Sequence, residues 1–323
     1  IVRSVRRHTL PKIFREKFQG CLLGLAAADA VGTTVEFEPP GSFEPVTDMT
    51  GGGPFNLNPG EWTDDTSMAL CLAESLIECK GFSPEDQMDR YIRWFKDGHL
   101  GSNGKCFDIG ITTRKALNRY SETGDPYSGS TDSRSAGNGS IMRLAPVPMF
   151  YARDAKKAIE NSAESSRTTH GALACLDACR LFSALIVGAL TEVDKDKLLS
   201  ANYCPVSVDN YWSQYPLCPE IAEISKGSFK RKEPPEIQGS GYVVKSLEAA
   251  LWAFYKTDTY KDGCLLAVNL GDDADTTAAV YGQLAGAFYG VEGIPAPWLE
   301  KLALRDTIYS FSNRLYELAQ NEV

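Results

Sequence analysis

An all-α single domain with long functional loops is the fold class this sequence predicts, and three observations predict it. Apolar residues in the long stretches recur at helical rather than alternating spacing. The segments between them are rich in Gly, Pro, Ser and Asn, and there is no series of alternating β-branched runs. The first helix is expected over about 12–30, carrying Gly20 and Gly24 and ending near Asp29. The second, about 64–79, opens on Thr63-Asp64-Asp65-Thr66 and runs on through the apolar stretch Met68 to Ile77. Helical spacing then covers about 84–97 and 108–121, and the apolar run Ile141 to Phe150 places a helix over about 140–151. Further helices are expected over about 154–165, over 171–190, where Cys175 and Cys179 are set in an apolar run, over 242–258 after Gly239-Ser240-Gly241, and over 260–269. The last two are expected over about 275–289, behind the acids of Gly271 to Thr277, and over 298–319.

At 323 residues and 43% hydrophobic the chain can bury a large core. A net charge of -9 and a pI near 5.0 argue against a general nucleic-acid or anionic-membrane surface, which would call for clustered Lys and Arg. No apolar run is expected to span a bilayer and no signal-peptide pattern occurs, so the expectation is a cytoplasmic protein; the start Ile1-Val2-Arg3, without methionine, reads as trimmed. Nine cysteines without a Cys-x-x-Cys pair suggest neither a disulfide framework nor a zinc site. Residues 1–11, with Arg3, Arg6, Arg7 and His8, read as a mobile basic arm, and 12–323 as the domain. Within it, 191–240, containing Pro205, Pro216, Pro219, Pro234 and Pro235, is expected to be an irregular surface excursion.

The two acid clusters carry most of the functional signal. Each packs carboxylates and hydroxyls into one turn at the start of an apolar, Ala-rich helix. Crowded acids in an apolar setting repel one another and resist burial, so a hard divalent cation is the simplest way to neutralise them. The alternative is helix capping, since Asp and Thr are favoured at helix starts. A cap uses one or two acceptors, however, and Asp64, Asp65, Asp272, Asp273 and Asp275 with Thr63 and Thr276 offer more oxygen than two caps need. The clusters are expected to meet because the helices they open pack side by side. Two glycine-bearing loops have the character of an anion and nucleoside cradle: Ser133-Arg134-Ser135-Ala136-Gly137-Asn138-Gly139-Ser140, and Gly239-Ser240-Gly241 before Tyr242. Ordinary turns are the competing explanation for both, and a cap or a satisfied core residue is the competing explanation for His170.

Taken in order, these blocks resemble the ADP-ribosylglycohydrolases of the dinitrogenase-reductase-activating type. The resemblance rests on Gly20-x-x-x-Gly24 leading to Asp29 through Glu36, Gly60-x-Trp62-Thr63-Asp64-Asp65-Thr66, Gly137-Asn138-Gly139-Ser140-Ile141-Met142-Arg143, Thr169-His170, and Gly271-Asp272-Asp273-Ala274-Asp275-Thr276, over about residues 17–290. It implies an all-helical domain with two Mg2+ or Mn2+ ions in a cleft that binds ADP-ribose. Thr63, Asp64, Asp65 and Asp275 would hold one ion, and Asp273, Asp275 and Thr276 the other. Glu36 would be the general acid or base, with Glu38 as its rival. Ser133, Arg134, Ser135, Ala136, Gly137, Asn138 and Gly139 would contact pyrophosphate and proximal ribose; His170 would lie near the distal ribose or phosphate, and Gly241 and Tyr242 on the adenosine side. The activity implied is release of mono-ADP-ribose from a modified protein, with arginine favoured because Gly241 to Trp252 and the last acid motif resemble the bacterial arginine-directed branch. The partners implied are the ADP-ribosylated protein, the ADP-ribose product and an ADP-ribosyltransferase. Two other readings stay open: a dinuclear-metal phosphoesterase, and a binding or immunity protein that blocks a transferase or sequesters its product.

Overall fold

From Phe18 to Gly32 every residue of the first helix except Gln19 is buried, and the rest of the molecule is arranged around that helix. The computed structural model describes residues 10–206 and 210–321, so the basic arm expected at 1–11 lies outside the described residues apart from Leu10 and Pro11. The helices are α1 (Arg15–Gly32), α2 (Asp64–Cys79), α3 (Pro84–Asp97), α4 (Ile111–Thr123), α5 (Pro146–Phe150), α6 (Ala155–Arg167), α7 (Leu173–Leu190), α8 (Lys195–Leu198), α9 (Tyr211–Gln214), α10 (Pro219–Ser225), α11 (Val243–Lys256), α12 (Tyr260–Val268), α13 (Ala274–Tyr289), α14 (Ala296–Lys301) and α15 (Arg305–Asn321). Among the described residues the only β-type pairings are three isolated bridges, Gly52 with Leu57, Ser130 with His170 and Gly137 with Tyr242.

The central pair is α1 and α13. Their backbones approach at facing glycines: a Cβ on Gly20 would lie 2.2 Å from the Gly286 carbonyl oxygen, and one on Gly282 the same 2.2 Å from that of Gly24. Only glycine permits such an approach. On this pair are laid α12, α11 and α7 beside α13, and α15 and α2 beside α1, with α6 and α5 closing over α7. Helices α1 and α7 are apolar and long enough, by length and composition, to cross a membrane, contrary to the expectation from sequence; their apolar windows are 89% and 78% buried within the protein, because they are its core.

Three expected elements are altered by particular residues. Helix α4 starts at Ile111 rather than 108, because Asp108 has a left-handed backbone (φ 60) that a right-handed helix cannot contain. The stretch 140–151 is turns followed by the short α5, since Pro146 and Pro148 lack the N–H groups that would tie them back to earlier residues. The terminal helix breaks between Lys301 and Arg305, where Leu304 is left-handed (φ 51) and Ala303 N–H bonds to the Gly60 carbonyl instead of its own helix. Region 191–240 contains α8, α9 and α10. It is tied to α7 by Arg180, which donates to the carbonyls of Tyr215 and Pro216, and by Asp177, which accepts from Cys218 N–H at 2.6 Å.

Candidate active site

The first turns of α2 and α13 meet in the interior. Thr63 is the hub: its hydroxyl lies 2.9 Å from Asp29 Oδ1, 3.1 Å from Asp275 Oδ2 and 3.2 Å from Asp65 Oδ2, while Thr276 Oγ1 reaches Asp65 Oδ2 at 3.3 Å. The expected reason for the meeting needs correcting. Helix α13 packs along its length on α1, and touches α2 over a small patch that includes these acid-bearing turns. The clusters converge because α1 lies between their helices and delivers Asp29 to the junction. Asp29 accepts from the backbone N–H groups of Thr63 (3.0 Å) and Thr66 (3.1 Å) and from both their hydroxyls. It thus fills the orphan donors at the start of α2, and neither Thr63 nor Asp273 makes a side-chain cap bond of its own.

Those acids are kept from capping and also kept dry. Asp64, Asp65, Asp275 and Glu36 are all at most 5% exposed, and Asp65 Oδ1, Asp275 Oδ1 and Glu36 Oε2 are buried without a hydrogen-bond partner. Burial, then the charges of neighbouring carboxylates, pushes Asp64, Asp65 and Asp275 well above the usual carboxylate range. Burial raises Asp273 as well. Desolvation lifts Asp29 to about 6 against the pull of its four hydrogen bonds. Buried, unpartnered, oxygen-only donors are what a hard divalent cation would satisfy, and the set fits one.

Glu36 enters from the turn after α1. Phe37 N–H donates to the Asp272 carbonyl at 2.7 Å and Asp272 N–H returns to the Glu38 carbonyl at 2.8 Å, so the Glu36 loop is laced to the turn that carries Asp273 and Asp275. This pairing also separates the two candidate carboxylates, since Glu36 is 3% exposed whereas Glu38 is exposed. Asp108, which sequence reasoning did not single out, completes the group: ligand oxygens of Glu36, Asp108 and Asp275 all lie within 4.8 Å of one another. Asp108 is hydrogen-bonded to Glu36 and to Asp64 and is raised by burial to about 7; Glu36 is pushed to about 10 by burial and then by Asp108. The signal that could have pointed to it was an acid in a loop before Gly110, the N-cap of α4.

The two glycine loops also meet. Asn138 N–H donates to the Gly241 carbonyl (3.0 Å) and Val243 N–H to the Ala136 carbonyl (3.0 Å), joining 136–138 to 241–243. Asn138 Nδ2 donates to Asp273 Oδ2 at 2.7 Å, and a Cβ on Gly241 would lie 3.4 Å from that same oxygen, so the joined loops border the acids. Tyr242 is 40% exposed there. His170 lies beneath the loop, 2% exposed, where a Cβ on Gly139 would come within 2.7 Å of its ring. Arg143 donates to Thr169 Oγ1 at 2.7 Å, and that hydroxyl is 2.8 Å from His170 Nδ1. Since Thr169 Oγ1 accepts from Arg143, its own proton goes to Nδ1, which leaves the ring proton on Nε2, the nitrogen nearer Gly137. Burial, then Arg143, lowers His170 to about 3, so the ring is neutral. Ser133, Arg134 and Ser135 form a 3-10 turn farther out; Ser133 and Arg134 are exposed, with the Arg134 guanidinium on Asp132.

Comparison with known proteins agrees with this geometry. The ADP-ribosylglycohydrolase sequence profile matches residues 10–322. The chain is 42% identical over 307 residues to the ADP-ribosylarginine hydrolase Tri1 of Serratia proteamaculans, covering 95% of this chain and 81% of that protein. It is 32% identical over 297 residues to the ADP-ribosyl-[dinitrogen reductase] glycohydrolase of Rhodospirillum rubrum, covering 88% and 90% respectively. A solved structure described as an ADP-ribosylglycohydrolase-related protein complex superposes with a TM-score of 0.82 at 44% identity, over 94% of this chain and 98% of that one. Matched by that profile over almost its whole length and by relatives above 30% identity along most of theirs, the chain belongs to the ADP-ribosylglycohydrolase family.

Proposed function

We propose that this protein hydrolyses the N-glycosidic bond between ADP-ribose and arginine on a modified protein. The observation that supports it most is the convergence of acids and glycine loops from remote parts of the chain on one buried group of carboxylates, in a chain 42% identical to relatives named ADP-ribosylarginine hydrolase. Divalent cations, Mg2+ or Mn2+, held by Thr63, Asp64, Asp65 and Asp275 and by Asp273, Asp275 and Thr276, would supply positive charge for the ribose hydroxyls and lower the pKa of water.

The chain's own residues do the rest. The Gly139 N–H receives the pyrophosphate, on a loop stiffened by the pairing of 136–138 to 241–243 and by neutral His170 beneath it, while the N–H groups of Ala136, Gly137 and Asn138 are bound within the loops; Tyr242 offers its exposed ring to the adenosine. Asn138 holds Asp273 by its carboxamide and keeps that carboxylate turned toward the cleft. Glu36, whose burial favours its protonated form, donates a proton to the departing guanidine nitrogen as the bond to C1 breaks. The carboxylate left behind then takes a proton from the water that adds to C1, so the products are free arginine side chain and ADP-ribose, and Glu36 ends as it began. Asp108, hydrogen-bonded to Glu36, holds that carboxyl in place.

The test is to incubate the protein and a divalent cation with arginine-, serine- and glutamate-linked ADP-ribosyl substrates and identify the products. Free ADP-ribose from the arginine linkage, abolished by chelator, is the expected result. AMP with ribose 5-phosphate would assign the cleft to phosphoester chemistry instead, and tight binding without release would make the protein a binder.

A further inference from the structure

Three phenyl rings stand in a row, two of them on the segments that carry Glu36 and Asp108, and nothing in the chemistry above uses them. Phe37 and Phe55 meet edge to face with centroids 6.5 Å apart, and Phe55 and Phe107 are tilted at 5.2 Å. Phe37 is 62% exposed, and Phe55 and Phe107 are half-buried. The row begins one residue after Glu36 and ends one residue before Asp108. Those two carboxylates have oxygens within 4.8 Å of each other, so the segments that carry the two end rings meet at the acids.

The backbone holds the row in place at some cost. Phe37 is left-handed (φ 65), a costly conformation for a bulky side chain, and Asn56 (φ 52) and Asp108 (φ 60) next to the other two rings are left-handed as well, which Asn and Asp adopt more readily. Such strain persists only where surrounding structure imposes it. Here the imposing contacts are visible. Phe37 N–H is bound to Asp272, the 51–57 loop sits so close on the turn before Glu36 that a Cβ on Gly53 would lie 2.0 Å from the Thr33 carbonyl oxygen, and Ser102 ties the Phe107 loop to the Trp62 carbonyl at 2.6 Å. A phenyl exposed to this degree gains little from burial, so holding it in a strained conformation serves something other than packing.

We infer that Phe37, Phe55 and Phe107 form the subsite for the leaving group, stacking on the planar guanidinium of the modified arginine and so setting the enzyme's preference for the arginine linkage. This inference rests on the proposed hydrolase reading. Carboxylates alone attract any cation, whereas aromatic faces beside carboxylates select a flat, weakly hydrated one, which describes guanidinium and excludes the hydroxyl of serine and the carboxyl of glutamate.

The experiment replaces Phe55, the middle ring, by Ala, Leu and Trp in the full chain, with Phe37→Ala as a second variant whose exposed ring makes little contribution to folding. For each, kcat/KM on ADP-ribosyl-arginine, the Kd for ADP-ribose and the melting temperature are measured. Phe55→Ala, Phe55→Leu and Phe37→Ala should lower kcat/KM by roughly ten-fold or more, Phe55→Trp should stay near wild type, and ADP-ribose affinity should stay within about two-fold in all four, because the product carries no guanidinium. Leucine serving as well as phenylalanine, or ADP-ribose affinity falling in step with turnover, would overturn the subsite. Wild-type protein that releases nothing from the arginine linkage would instead overturn the hydrolase reading and this inference with it; an active wild type with indifferent Phe variants overturns the inference alone.

Discussion

Helices α3, α6, α8 and α12 begin in the ordinary way, with Ser83, Asp154, Asp194 and Thr259 each accepting a bond from the backbone N–H three residues on. Helices α2 and α13 begin with Thr63 and Asp273, residues just as able to cap, and neither does so. At α2 the task passes to Asp29, a carboxylate brought in from another helix; at α13 Asp273 turns its side chain to Asn138. The same residue types are therefore used in two ways. Where an acid caps, its charge meets the helix dipole and is satisfied locally. Where another group takes over the cap, the acid's oxygens stay free, and free oxygens in a buried place call for a cation.

The largest effect that could break this contrast is at Asp275. Asp275→Ala should lower turnover by roughly three orders of magnitude or more and reduce bound divalent metal, read by initial rates and elemental analysis. Undiminished turnover in the presence of chelator would mean that the acids serve some other end. Next comes Glu36→Gln, for which a loss of roughly 10²- to 10⁴-fold in kcat with metal content retained is expected. Glu38→Gln is its control, and a loss there alone would assign the proton to the wrong carboxylate.

Asp29→Asn tests the borrowed cap. An amide cannot accept all four bonds that the carboxylate takes, so unfolding by urea should show a loss on the order of 2–3 kcal/mol, with α2 loosened at its first turn. A loss below about 0.5 kcal/mol would return the start of α2 to its own residues. Acidity offers a fourth handle. Asp29 (about 6), Asp108 (about 7) and Glu36 (about 10) all titrate above their unfolded range, so in metal-free protein their contribution to stability is complete below about pH 4 and fades as pH rises, through 6 for Asp29, 7 for Asp108 and 10 for Glu36. Metal-free protein should melt roughly 5 °C lower at pH 8 than at pH 5, and added Mg2+ or Mn2+ should raise the melting point more at pH 8. A flat profile without metal would show that the acids are already neutralised. The smallest effect belongs to an ordinary cap: Ser83→Ala should cost about 1 kcal/mol and leave turnover unchanged.

What the sequence disclosed, and what it hid, follows the reach of each interaction. Helices α2 and α3 were legible to the residue because their signals are local: an acid turn before an apolar run, and helical spacing over 84–97. The acid turns and Asn138 were legible as a pattern, since a family motif stores long-range geometry that spacing alone does not. Asp108 was not legible. Its partners Glu36 and Asp64 lie far away in the chain, and its own segment, left-handed and outside any helix, looks locally like the start of α4. The break between α14 and α15 was hidden for the same reason, since what ends the helix is the Gly60 carbonyl. The function of Asp29 was hidden too: a buried acid near the end of an apolar helix gives no sign that it will be the cap of another.

The glycine contact between α1 and α13 bears on any attempt to engineer this enzyme for robustness. Gly20, Gly24, Gly282 and Gly286 sit inside helices, where propensity alone favours alanine by about 1 kcal/mol at each position, and an algorithm scoring helices one at a time would change all four. The added methyls would wedge the pair apart. Gly32 is stricter still, since a Cβ there would lie 2.4 Å from the Cα of Asp275 itself. Asp29 travels with one helix and Asp275 with the other, so the wedge would open a gap between the acids. Such a variant could keep its helical circular-dichroism spectrum, gain helicity, and still be inert, with every side chain of the cleft unaltered.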